Sequence, residues 1–130
     1  MNISSNFINI LDKNEIFVFG SNNLGHHLGG AAKIAHEKFN AEWGVGHGRT
    51  GNCFAIDTMS GVNALEDDIT AFIEYAQYNL HIKFLVTEIG CGIAGYKISE
   101  VAPLFETCIH SNNIYLPESF YNHIKQNLGA

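Results

Sequence analysis

Phe84-Leu85-Val86-Thr87-Glu88-Ile89 runs directly into Gly90-Cys91-Gly92-Ile93-Ala94-Gly95-Tyr96, and a helical pattern follows from Ser99. An apolar run, a glycine-rich loop and a helix in that order are how α/β proteins build ligand sites. Binding crevices lie outside the carboxyl ends of parallel strands. Glycine lets backbone N–H groups approach an anion closely and takes up positive φ. A second unit of the same kind lies upstream, where Ile16–Phe19 runs into Gly20-Ser21-Asn22, with Gly25, Gly29 and Gly30 beyond. Two such loops after two buried strands predict one site that clamps a phosphorylated ligand from both sides.

The strands and helices between these loops predict the rest of the fold. Continuous apolar residues make Ile16–Phe19 a strand buried on both faces. Residues 30–39 read as a helix with Ala31, Ile34, Ala35 and Phe39 on one side. Ala41–Trp43 is expected as a short edge strand and Cys53–Ile56 as a further strand. Residues 64–79 carry Leu65, Ile69, Phe72 and Ala76 at three- and four-residue spacing, with Asn63 and Glu66 close to a capping box. After the strand Phe84–Ile89, a helix is expected over 99–110, capped by Ser99, with Val101, Leu104, Phe105 and Cys108 inward. A strand at 114–116 and a helix at 118–126 complete the chain. The order β-α-β-β-α-β-α-β-α predicts an α/β fold of one domain, a mostly parallel sheet with helices on both faces.

Composition narrows the function. The chain has 130 residues, 46% hydrophobic and 15% charged, with a net charge of −6. Arg49 is the one arginine, and the six lysines are scattered. A nucleic-acid surface needs clustered cations, so that partner is not expected. A phosphate bound here is instead held by backbone N–H groups and helix N-termini. Cys53, Cys91 and Cys108 are odd in number and lack C-x-x-C spacing. That pattern fits a reducing cytoplasm and speaks against a disulfide framework or a zinc site. No metal, no cofactor and no membrane partner are expected, since no run of about 18 apolar residues is present.

Gly46-His47-Gly48-Arg49-Thr50-Gly51 matches G-x-G-x-x-G but precedes a strand, so it is not a dinucleotide fingerprint. It reads either as a mobile turn or as a flap, with Arg49 and His47 reaching a phosphate or ribose. Asn22, at a strand's carboxyl end, can donate to and accept from a ribose hydroxyl, or it can simply hold a turn. His26 and His27 lack the partners of a metal site. Together with Asp57 they are the candidates for activating water. Glu88 is a further possible base, and Cys91 a possible nucleophile if peptide dipoles lower its pKa.

These loops resemble the macrodomain superfamily of ADP-ribose-binding proteins. Gly92-Ile93-Ala94-Gly95-Tyr96 looks like the family's second phosphate loop. Gly20-Ser21-Asn22 looks like the strand end that places an Asn against the distal ribose, and Gly29-Gly30-Ala31 like the glycine loop opening the first helix. More narrowly, the chain is similar to small bacterial and phage macrodomain-like proteins over about residues 16–117. The resemblance implies a three-layer α/β/α fold and binding of ADP-ribose or a related nucleotide. The ligand would be held by Gly20, Ser21, Asn22, Gly25, Gly29, Gly30, Arg49, Gly90, Cys91, Gly92, Ile93, Ala94, Gly95 and Tyr96. Hydrolysis of an ADP-ribosyl bond is the enzymatic version, although Ala31-Ala32 stands where many macrodomain hydrolases carry an acidic residue. The alternatives are a non-catalytic nucleotide-sequestering protein and a protein-interaction domain anchored by Trp43 and Tyr96.

Overall fold

The computed structural model describes residues 2–27 and 29–128. Six strands form one sheet: β1 (Ile3–Ser4), β2 (Glu15–Ser21), β3 (Gly48–Thr50), β4 (Cys53–Asp57), β5 (Lys83–Val86) and β6 (Ile114–Pro117). Their order across the sheet is β1-β6-β5-β2-β4-β3, and every pairing is parallel except β3 with β4. The helices are α1 (Gly30–Lys38), α2 (Val62–Gln77), α3 (Ile98–Val101) and α4 (Glu118–Leu128). The architecture is therefore α/β with a mostly parallel sheet, as the sequence predicts.

Alternation along β2 divides the core between the two faces of the sheet. Phe17 and Phe19 pack with Ala32, Ala35 and Phe39 of α1 and its end. Ile16 and Val18 face the larger cluster, which Leu65, Ile69 and Phe72 of α2, Phe105 and Phe120 complete. At its centre the Phe72 ring lies edge-on to Phe54 and Phe84, at centroid distances of 5.2 and 5.4 Å. Helix α1 turns further than its apolar pattern suggests: Ala32 faces inward, while Ile34 is 40% exposed.

Several expected boundaries move. Residues 41–43 are not a strand. Helix α1 ends with Asn40 at φ 64° and the Ala41 N–H reaching back 3.1 Å to the Ala35 carbonyl. That left-handed stop, which Asn tolerates better than most residues, turns the chain away from the sheet. The antiparallel edge is instead β3, inside the G-x-G-x-x-G segment. The N-cap of α2 is Gly61 rather than Asn63, and it makes no side-chain bond. The expected helix over 99–110 is four residues of α-helix followed by a 3-10 helix, Ala102–Cys108. Pro103 lacks the N–H that an α-helical bond at that position requires. Its start is closed by Glu100, whose carboxylate accepts the Lys97 N–H at 2.8 Å, and not by Ser99. Strand β1, which no sequence pattern marked, adds an outer edge beside β6.

Candidate functional site

After β2 the chain proceeds through α1 and β3 to β4 on one side. After β4, α2 carries it across to β5 on the other side of β2. Beyond the carboxyl ends of β2 and β5, where the connections diverge, lies a cleft of about 460 Å³. This is the switch-point location expected of ligand sites in open α/β sheets, and the volume lies in the range of about 300–1,000 Å³ usual for small-molecule pockets.

One wall is the end of β2 with the start of α1: Gly20, Ser21, Asn22, His26, Gly29, Gly30, Ala31 and Ala32. The other is the loop after β5, from Thr87 to Ala94, and Thr58 and Met59 close the side next to β4. Two threonines extend the sheet past its last strand pairs and fix the floor. The Thr87 N–H and hydroxyl both donate to the Val18 carbonyl, at 3.1 and 2.9 Å. Those of Thr58 both donate to the Ser21 carbonyl at 3.0 Å. The sequence reading missed both residues. Their signal was a hydroxyl immediately after a buried strand.

Both walls offer backbone donors. Gly29 caps α1 without a side-chain bond, so among the described residues no side chain takes up the first N–H groups of the helix, which point where an anion binds. Across the cleft, turns at 88–91 and 92–95 are closed by Cys91 N–H to the Glu88 carbonyl (3.1 Å) and Gly95 N–H to the Gly92 carbonyl (3.0 Å). Among the described residues, the N–H groups of Gly92, Ile93 and Ala94 have no backbone acceptor. A Cβ added at Gly29 would lie 3.3 Å from the Ile93 side chain, so the two loops leave little room for a side chain between them there. Among the described residues no lysine or arginine lines it. Glu88 is its one carboxylate, and that group accepts a 2.5 Å hydrogen bond from the Ser119 hydroxyl of α4.

The other candidate residues lie behind or beyond these walls. Gly25, at φ 67°, packs against the backbone of Gly44 and Val45. The Tyr96 ring covers Gly90 and its N–H donates to the Gly90 carbonyl at 2.8 Å, so with Gly95 it supports the loop from outside the cleft. Arg49 lies far from the cleft: it donates to the Tyr75 hydroxyl at 3.2 Å and lines a different hollow with Lys13, Glu15 and His81, at the amino ends of the parallel strands. His47 meets Asp68 of α2 at 2.7 Å. The glycine-rich segment is thus an edge strand and not a flap.

Asp57 is 2% exposed; its carboxylate accepts the Met59 N–H at 3.0 Å and holds the turn that presents Thr58 and Met59. His27 is equally buried. Its Nε2 lies 2.9 Å from the Glu42 carbonyl and its Nδ1 2.9 Å from the Ser21 hydroxyl. A carbonyl only accepts, so Nε2 carries the proton and Nδ1 accepts from Ser21. Burial lowers the pKa of His27, and His36 and His26 lower it further against the opposing Glu42 bond. Cys91 lines the cleft, but its thiol is pushed up to about 11, first by burial and then by Glu88 and Glu100. The peptide dipoles do not make it a thiolate. Of the titratable candidates for water activation, His26 and Glu88 line the cleft, while Asp57 and His27 lie behind its walls.

Asn22 lines the cleft, and its side chain holds a turn. Its amide NH₂ donates to the His26 carbonyl at 3.0 Å and its amide oxygen accepts the His26 N–H at 3.1 Å. The side chain therefore folds residues 22–26 into a clamp around His26. Among the described residues no group of three or more His, Cys, Asp or Glu converges as a metal site, and no helix is long and apolar enough to cross a membrane. No family model, curated protein or solved structure matches the chain.

Proposed function

We propose that this protein is a macrodomain-like module that binds ADP-ribose or a related nucleotide, with the diphosphate between the start of α1 and the 90–94 loop. The observation that carries the reading is the pair of facing backbone-donor loops at the sheet's switch point, in a cleft that no described lysine or arginine lines. Backbone N–H groups hold phosphate without adding charge, and the dipole of α1 favours an anion at its N-terminus. The binding reading rests on these loops alone, and hydrolysis would have to use His26 or Glu88, the candidate bases that line the cleft. Asp57 and His27 are buried in hydrogen bonds behind the walls, and Cys91 is a protonated thiol.

Gly92 provides the test. It is exposed, and a Cβ added there meets nothing within 4 Å. Gly92→Val therefore keeps stability within about 0.5 kcal/mol, as exposed substitutions usually do, while it adds a branched side chain to a residue that lines the cleft. Calorimetry with ADP-ribose, ADP and AMP is expected to show binding to the wild type and a loss of at least about tenfold in the variant, about 1.4 kcal/mol. Absence of heat and of thermal shift with all three nucleotides, at millimolar concentration, rejects the reading.

A further inference from the structure

His26 is exposed, yet both its backbone and its ring have partners. The Asn22 amide fixes its backbone on both sides. Its ring lies flat on Trp43, with centroids 5.4 Å apart and planes 14° from parallel. Trp43 is in turn braced edge-on by His36 at 5.4 Å and by His27 at 6.0 Å. His36 and His27 are themselves tied to the two residues just before Trp43, through the Ala41 carbonyl at 2.8 Å and the Glu42 carbonyl at 2.9 Å. Three aromatic side chains and an amide thus hold one imidazole that lines the cleft.

We infer that His26, backed by Trp43, is a stacking platform for the heteroaromatic base of the bound nucleotide. With the indole on one face of the imidazole, the opposite face is the one left for the cleft. A planar ring fixed in advance loses little side-chain entropy when a base stacks on it, and every base offers a π-face. This inference rests on the cleft being a nucleotide site and adds the group that recognises the base. A flat platform reads the ring's face and not its edge, so it selects for an aromatic base over none, and weakly among bases.

The chain's single tryptophan makes the platform observable by fluorescence. ADP is expected to change the emission of Trp43, whereas inorganic diphosphate and ribose 5-phosphate, which lack a base, leave it unchanged. His26→Ala should weaken ADP roughly 5- to 100-fold, the span expected for one stacked base, without altering the affinity for diphosphate. His26→Phe restores most of the ADP affinity, because it keeps a ring of similar size. Trp43→Leu, which removes the backing without touching the cleft, gives an intermediate loss. Unchanged ADP affinity in His26→Ala overturns the platform and leaves the nucleotide cleft standing. Equal losses in His26→Ala and His26→Phe also overturn it, since a ring nitrogen would then be the recognised group. Failure of the wild type to bind ADP or ADP-ribose removes both the platform and the cleft's assignment.

Discussion

A few glycines hold the cleft's first wall through what they lack. A Cβ on Gly46 would lie 1.7 Å from the Asn22 carbonyl oxygen, and one on Gly25 would lie 2.2 Å from the Val45 nitrogen. Residues 22–25 and 44–46 are therefore interlocked backbone against backbone. Gly46→Ala is expected to destabilise the protein by about 1–3 kcal/mol, the usual cost of forcing atoms into packed space. It should also displace the Asn22 clamp. Chemical denaturation measures the first effect, and loss of the stacked Trp43 signal the second. This interlock was not legible in the sequence. Gly46 was visible only as part of a G-x-G-x-x-G pattern, and its role depends on a carbonyl some twenty residues away. The identity of the loop glycines at 90–95 was legible, because their role is local: they follow a strand and precede a helix.

Among the elements, those that bury a regular apolar face were read closely. Strand β2 and helix α2 show it, each with the expected residues inward. The elements placed by one polar bond or one ring were not. Pro103 turned half a helix into a 3-10 segment, and Asn40 diverted the chain before a strand could form. His27 is another such link, joining the end of β2 at Ser21 to the segment after α1 at Glu42. Its consequence is pH-dependent. In the unfolded chain His27 titrates near 6.5, and in the folded protein its pKa is lower. As pH falls through that unfolded value, the unfolded chain binds a proton that the folded protein refuses. Stability contributed by neutral His27 is thus complete above it and is lost on acidification towards the folded pKa. Denaturation followed from about pH 8 to about pH 5 should show a smaller acid-side decline in His27→Gln than in the wild type. Parallel profiles would mean that the link carries no proton linkage.

For the whole molecule, charge and site chemistry are set against one another. The protein carries −6 overall, and among the described residues no lysine or arginine lines the cleft. Nucleotide binding through backbone donors should then hold constant or rise slightly from about 50 to about 500 mM salt, because added ions screen the repulsion between protein and ligand. Titration calorimetry across that range checks it. A fall of about tenfold would indicate a side-chain cation at the phosphate, as in surfaces that bind through Lys and Arg.

The outermost pairing, β1 beside β6, has a consequence for how the chain is made. Ile3 aligns with Leu116, the Ser4 hydroxyl donates to the Val86 carbonyl at 2.7 Å, and the Asn2 amide donates to the Ser111 carbonyl across 109 positions. Residues 2–4 leave the ribosome more than 100 positions ahead of Ser111 and Leu116. Strands β2, β4 and β5 can assemble while synthesis continues, whereas β1 has to wait as an unpaired segment until β6 is released. Closure of that edge therefore follows assembly of the inner strands, and a nascent chain halted before residue 111 should leave residues 2–4 open to proteolysis.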